Sequence, residues 1–287
     1  MLIVGFGDVG VRAARLLTPR VRVLALTRDA ARAGTLRAQG VTPLLGDLDD
    51  AASLRRLAGI ATRVIHLAPP PAEGAGDPRS AALLRALARR TAPLALVYAS
   101  TSGVYGDCGG AWIDETRALR PQTARARRRV AAESALRAFG RAAGTRTSIL
   151  RIPGIYAPDR EGGTPRARLE RGTPVLAADD DVYTNHIHAD DLARAVAAAL
   201  WRGKPQRAVN ASDDSELKMG DYFDLAADLY GLPRPPRIGR DQAREQLAPT
   251  LLSFMSESRR LLNGRLKREL RLRLDHATPA TGLLSKR

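Results

Sequence analysis

Gly5-Phe6-Gly7-Asp8-Val9-Gly10 follows directly on the apolar run Leu2-Ile3-Val4 and opens into an Ala/Leu/Arg stretch from Val11 to Leu17. Glycines at this spacing can cradle a pyrophosphate. Gly5 permits a tight turn, Gly7 lets backbone N–H groups approach the phosphates, and Gly10 lets the following helix lie close to the strand. The helix start then offers its unpaired N–H groups and positive dipole end to the anion. The motif alone is weak, because any Gly-rich strand-to-helix turn can mimic it. Its position is what counts: a strand precedes it, a helix follows it, and a second apolar stretch, Val21 to Leu26, closes a βαβ unit. That stretch ends Leu26-Thr27-Arg28, with the first acid, Asp29, one residue later. A carboxylate at this point holds a ribose 2′-hydroxyl, whereas a guanidinium suits a 2′-phosphate through paired charge-assisted hydrogen bonds. NADP is the expected cofactor, and NAD the alternative.

The elements that position this loop alternate along the chain. Short apolar strands are expected at Leu2–Val4, Val21–Leu26, Val41–Leu44, Arg63–Leu67, Leu94–Ser100 and Thr147–Arg151. Helices are expected between them at Val9–Leu17, Asp29–Gln39, Asp50–Leu57, Ser80–Arg90 and Thr123–Phe139. Such alternation implies an α/β fold, a doubly wound and mostly parallel sheet covered on both faces. Beyond Arg151 the prolines multiply and the pattern breaks up. Residues 1–152 are therefore read as the dinucleotide-binding Rossmann domain, to which 183–211 returns. Residues 153–182 and 212–287 are read as a smaller substrate lobe. Asp190 is expected to cap a helix running to Trp201, and a second helix is expected at Lys218–Tyr230.

Composition narrows the class. The chain has 287 residues, 44% of them hydrophobic, enough to bury a sizeable core. No apolar run is long enough to span a bilayer, and Met1 leads straight into a core strand, so a cytoplasmic protein is expected. A single cysteine, Cys108, rules out an internal disulfide framework and a multi-Cys metal site. The net charge of +16 raises the question of nucleic acid. The bases are almost all Arg beside abundant Ala, as GC-rich coding produces without selection for binding. Only 4% of residues are aromatic and no stacking platform is interleaved, so no specific nucleic-acid partner is expected. No metal is expected, since His186 and His188 lack a clear third ligand. Asp114 and Glu115 read as exposed loop acids.

Several segments together resemble the NAD(P)-dependent epimerase/dehydratases, the extended type of short-chain dehydrogenase. Gly46-Asp47-Leu48 looks like the family's adenine-contacting segment, and His66-Leu67-Ala68 like the one beside the adenine ribose. Val97 to Gly106 is close to the stretch carrying the catalytic Ser or Thr, which falls on Thr101. Leu150 to Tyr156, including Pro153, resembles the loop flanking the nicotinamide. Asn185 to Asp191 resembles the family's return to the sheet, and the C-terminal Ser256 to Leu270 resembles the end of an atypical branch. That last segment is expected to form a basic helix packing through Leu266 and Leu270.

The departure from the family lies in its Tyr-x-x-x-Lys pair. Pro121 and Glu133 set the register, and the two positions fall on Arg125 and Arg129. In the family the Tyr moves a proton and the Lys lowers its pKa while holding the nicotinamide ribose. A guanidinium stays protonated, so Arg125 cannot shuttle protons, though Arg129 can still hold a ribose or an anion. If the chain turns over, the proton moves through Tyr105, Tyr156, Tyr183 or His186. Thr101, with Ser102 beside it, would then orient a substrate carbonyl while Arg125, Arg129 and Arg160 clamp an anionic substrate, for example a sugar nucleotide. The alternative is a catalytically silent NADP-binding regulator or scaffold. Family members commonly pair as homodimers through the helix holding Arg125 and Arg129.

Overall fold

The computed structural model describes residues 1–285; the last two residues of the 212–287 range lie outside it. The apolar runs form β1 (Leu2–Val4), β2 (Val23–Thr27), β3 (Val41–Leu45), β4 (Arg63–His66) and β5 (Ala95–Thr101). After the short β6 (Trp112–Ile113) comes β7 (Arg146–Ile152), then three brief strands, β8 (Gly154–Tyr156), β9 (Val175–Leu176) and β10 (His186–His188). The chain re-enters the main sheet as β11 (Arg207–Asn210). Seven strands make that sheet in the order β11-β7-β5-β4-β1-β2-β3. Every pairing in it is parallel. The strand order reverses between β1 and β4, and a crevice opens at such a switch point beyond the carboxyl ends of the strands.

Alternate strand residues face opposite layers, as a two-residue period demands. Ile3, Val97 and Leu150 meet α1 (Asp8–Leu17) and α6 (Ala189–Arg202) through Ala13, Leu17, Leu192 and Val196. Leu2, Val4, Leu96 and Tyr98 face the other way, onto Leu83 and Leu87 of α3 (Pro78–Leu87) and Leu136 of α4 (Ala124–Ala143). A separate core forms the lobe. Leu169 of α5 (Arg166–Glu170) packs there with Met219 and Phe223 of α7 (Met219–Tyr230), Val175 and Met255.

The structure departs from the sequence expectations where polar side chains compete for the backbone. In place of a helix over Asp50–Leu57 there is only a 3-10 turn, Ser53–Leu57. Asp47 and Asp50 there accept from the N–H groups of Asp49 and Ala52 and hold tight Asx turns. Asp29–Gln39 splits into a 3-10 turn and α2 (Ala33–Ala38), with Asp29 capping the turn. The N-cap of α6 is His188, whose Nδ1 accepts from Asp190 N–H; Asp190 lies inside the helix and pairs instead with Arg12. The lobe range also needs correcting. The basic helix near the C-terminus, α10 (Gly264–Arg268), follows the short α8 (Arg240–Gln246) and α9 (Pro249–Phe254). Its Leu266, with Leu270 and Leu272 beyond it, packs into the core beneath the main sheet rather than into the lobe. Glu115 is no exposed acid. It is buried, accepts from Asn210 N–H and pairs with Arg265, and burial raises its pKa. Among the described residues no helix is long and apolar enough to cross a membrane.

Candidate functional site

Two cavities open at the carboxyl end of the sheet. The larger, about 870 Å³, lies over the switch point. Its floor is the glycine loop, Gly5 to Gly10, with Leu67 and Ala68 at the end of β4. The conformational demand falls on Gly5, whose φ is +92°, and where a Cβ would lie 2.3 Å from the Ala68 nitrogen. A Cβ at Gly7 would meet nothing within 4 Å, so the loop leaves open space at the start of α1. Asp8 carries an anion into that first turn, which by itself would repel phosphates. Arg12 and Arg160 neutralise it at 3.0 and 2.9 Å. Arg12 is nearly buried and also binds Asp159 and Asp190, tying the loop after β8 to the glycine loop. The floor therefore fits a pyrophosphate.

Arg28, Asp29 and Arg32 line this cavity at the end of β2, with Asp47 and Leu48 beyond the neighbouring β3. Arg32 donates to the Phe6 carbonyl at 2.9 Å, which brings a second guanidinium beside Arg28. Val9, Arg129 and Pro153 line the same cavity, so the structure gathers every residue assigned from sequence to the cofactor around one space.

The second cavity, about 500 Å³, lies between the sheet and the lobe. Thr101, Arg129, Pro153 and Ile155 line both, so the two meet there. Thr101 caps the 3-10 turn Ser102–Tyr105 by accepting from Gly103 N–H at 3.2 Å. That leaves its own hydroxyl proton free for a carbonyl oxygen. Ser102 lines the wall beside it. Arg129 donates to the Ala99 carbonyl at 2.7 Å and to the Tyr98 hydroxyl at 3.1 Å. Arg125 stacks over Phe254 at 4.7 Å. The lobe wall carries Tyr156 and His186. Burial holds His186 down to about 3, so its imidazole is neutral, and the ring stacks on Tyr222 at 4.1 Å. The buried Tyr156 hydroxyl has no hydrogen-bond partner, and burial raises its pKa.

Two site residues are misplaced by sequence reasoning. Tyr105 lines neither cavity. Its hydroxyl donates to Asn210 and accepts from Arg151, and burial pushes its pKa up to about 12, which makes it part of the scaffold. Arg160 lines the larger cavity rather than the second one, and pairs with Asp8.

Three groups escaped sequence reasoning. Glu257 is the one carboxylate among the described residues lining the second cavity. Its Oε2 accepts from Arg259 at 2.7 Å, and its Oε1 is buried without a partner. Arg168, on α5, lines the cavity from the lobe side. His276 comes together with His188 and Asp190, not with the expected pair His186 and His188, the donor atoms of the three lying within 4.8 Å of one another. Arg12, 2.6 Å from Asp190, and the N-terminus of α6 both oppose a cation there. None of the three groups stands in a local motif, because what surrounds each in the cavity or cluster comes largely from remote parts of the chain.

The fold is shared with several solved structures. A functionally unknown conserved protein from Silicibacter pomeroyi is 33% identical, with a TM-score of 0.82 over 98% of this chain and 95% of that one. UDP-glucose 4-epimerase from Thermotoga maritima, solved with UDP-glucose, is 18% identical with a TM-score of 0.80 over the same shares. A double mutant of DesIV, the dTDP-glucose 4,6-dehydratase of Streptomyces venezuelae, solved with NAD, is 21% identical, with a TM-score of 0.74 over 99% and 95%. No curated protein matches the sequence. Residues 1–212 match the NAD dependent epimerase/dehydratase family, and with the glycine loop, the parallel sheet and Thr101 in place, the chain belongs to that family.

Proposed function

We propose that this protein is an NADP(H)-dependent oxidoreductase of the epimerase/dehydratase type, acting on an anionic small molecule, with a sugar nucleotide among the candidates. The observation that carries the reading is the junction of the two cavities at Thr101, Arg129, Pro153 and Ile155. When bound, the nicotinamide supplies the hydride acceptor or donor at that junction. Thr101 donates a hydrogen bond to the reacting oxygen, and Arg129 stabilises negative charge beside it. As the substrate's carbinol carbon gives up its hydride, the hydroxyl proton must pass to a side chain. Arg125 cannot take it. Glu257 is a carboxylate on the same cavity with an unpartnered oxygen, and in this reading it takes the proton. Arg28 and Arg32 favour the 2′-phosphate of NADP over a bare ribose.

Titration with NADP+ and NAD+ at fixed salt tests the cofactor. Wild type should prefer NADP+, and Arg28→Asp should weaken NADP+ at least about tenfold while leaving NAD+ within a few-fold. Binding of neither would sink the oxidoreductase reading. Once a substrate is found, Glu257→Gln should lower kcat by about 10²–10⁴ with NADP+ affinity unchanged. Unchanged kcat would remove Glu257 from the mechanism.

A further inference from the structure

Arg168, like Arg125, has no anion or acceptor among the described residues, but Arg125 is exposed whereas Arg168 has two guanidinium nitrogens buried. Arg129 spends its guanidinium on Tyr98 and Ala99, and Arg259 spends its own on Glu257 and the Gly106 carbonyl. The Arg168 guanidinium carbon lies over the Phe223 ring at 4.2 Å, and its Nε and Nη2 are buried with no hydrogen-bond partner. Charged groups are rarely withdrawn from water without a counter-ion, because the desolvation cost is several kcal/mol. The surroundings add to the demand. Arg171 is close enough to disfavour the charge, and the Tyr222 phenol is the acidic group that faces it from α7. Burial and Arg171 together pull the guanidinium down to about 10. The cavity is lined by Arg125, Arg129, Arg168 and Arg259 against the single carboxylate Glu257, which Arg259 already occupies.

We propose that Arg168 is the anchor for an anionic group of the substrate, a phosphate or carboxylate held by its guanidinium on the lobe wall, across the cavity from Thr101. The inference rests on the reading of this cavity as the substrate site and adds where the substrate's charge lies. Thr101 stands on the sheet side and Arg168 on the lobe side, so the charged group and the reacting carbon belong to opposite ends of the ligand. Contact with the Phe223 face restricts the guanidinium, which favours a charge-assisted hydrogen bond to an oxyanion from Nη1, the nitrogen that is not among the buried ones. A lysine in its place would keep the charge and lose the planar guanidinium that lies over the ring.

The test compares wild type, Arg168→Met and Arg168→Lys by thermal melting in chloride, pyrophosphate, inorganic phosphate and citrate at matched ionic strength, with NADP+ affinity measured on each. In chloride, Arg168→Met should melt at or above wild type, because an unpaired buried charge has been removed. The oxyanions should raise the wild-type midpoint, and their apparent affinity should fall at least about tenfold in Arg168→Met and less in Arg168→Lys. Phosphates acting where citrate does not would assign a phosphoryl group, and the reverse a carboxylate. Anion binding at the glycine loop is common to all three proteins and cancels in the comparison. A lower midpoint of Arg168→Met in chloride, or an unchanged response to the anions, would overturn the proposal. Failure of wild type to bind NADP+ would strike the oxidoreductase reading alone and leave the Arg168 comparison intact.

Discussion

Glu133 lies on the inner face of α4, fully buried, and meets Arg151 of β7, itself 3% exposed. The guanidinium grips both carboxylate oxygens, Nη2 to Oε2 at 2.8 Å and Nε to Oε1 at 3.2 Å, and Ser100 donates to Oε1 at 2.7 Å. Glu133→Gln keeps the shape and one acceptor oxygen, turns the other into an NH2 donor, and strips the charge from opposite Arg151. Removing one partner of such a pair costs about 3–5 kcal/mol, because the cation is left uncompensated in a dry interior. At roughly 2 °C per kcal/mol for a chain of this size, the midpoint should fall by about 6–10 °C. The double change Glu133→Leu with Arg151→Met removes the two buried charges, leaves only the partly exposed Arg137, which also donates to Glu133 at 3.2 Å, without its partner, and should recover much of that loss. Urea unfolding followed by fluorescence and circular dichroism reads the three stabilities, provided the two probes coincide. A single change costing under about 1 kcal/mol, or a double change as costly as the two singles added, would refute the account of a dry, interdependent pair.

Two further outcomes follow from the described contacts. Gly5→Ala places a methyl 2.3 Å from the Ala68 nitrogen on a backbone with φ of +92°, so it should lose several degrees of melting temperature and most of its NADP+ affinity; wild-type titration curves would disprove the loop's close approach to β4. The pH dependence has two opposed parts. Burial holds His66 and His186 down to about 3 and His188 to about 4, whereas the unfolded chain protonates its histidines near pH 6.5, so this part of the stability rises with pH between about 4 and 6.5. Burial pushes Asp213 up to about 7, so the folded chain keeps a proton that the unfolded chain releases near pH 4, and this part falls as pH rises from about 4 to 7. Asp213→Asn removes the falling part and should steepen the rise across that window; an identical slope in unfolding experiments would contradict it.

The grouping of residues around the larger cavity was legible because its geometry is local. A strand, three glycines and a helix follow one another within Leu2 to Leu17, and Arg28 ends the neighbouring strand. The same holds for the register argument that put Arg125 and Arg129 at the Tyr and Lys positions, since both lie on one helix with Glu133. The substrate half was illegible for the opposite reason. Arg168 matters because Phe223 lies under it and no acid reaches it, and Glu257 because its segment folds back over the cavity. Neither fact leaves a trace in local spacing. Tyr105 misled because a tyrosine beside a catalytic-looking Thr101 reads the same whether it faces a cleft or a buried Arg151, and only the packing of β7 and β11 decides.

The return of the late chain to the early sheet governs the order of folding events. Strand β11, helix α6 and the leucines at 266, 270 and 272 complete the layers begun by β1 and α1, so the lobe is an insertion into one body rather than a second body behind the first. A nascent chain halted after Ile152 would expose the open edge of β7 and the uncovered faces of Ile3 and Val97, a sticky half-sheet awaiting its cover. Synthesis must therefore pass Leu272 before this face of the sheet is covered.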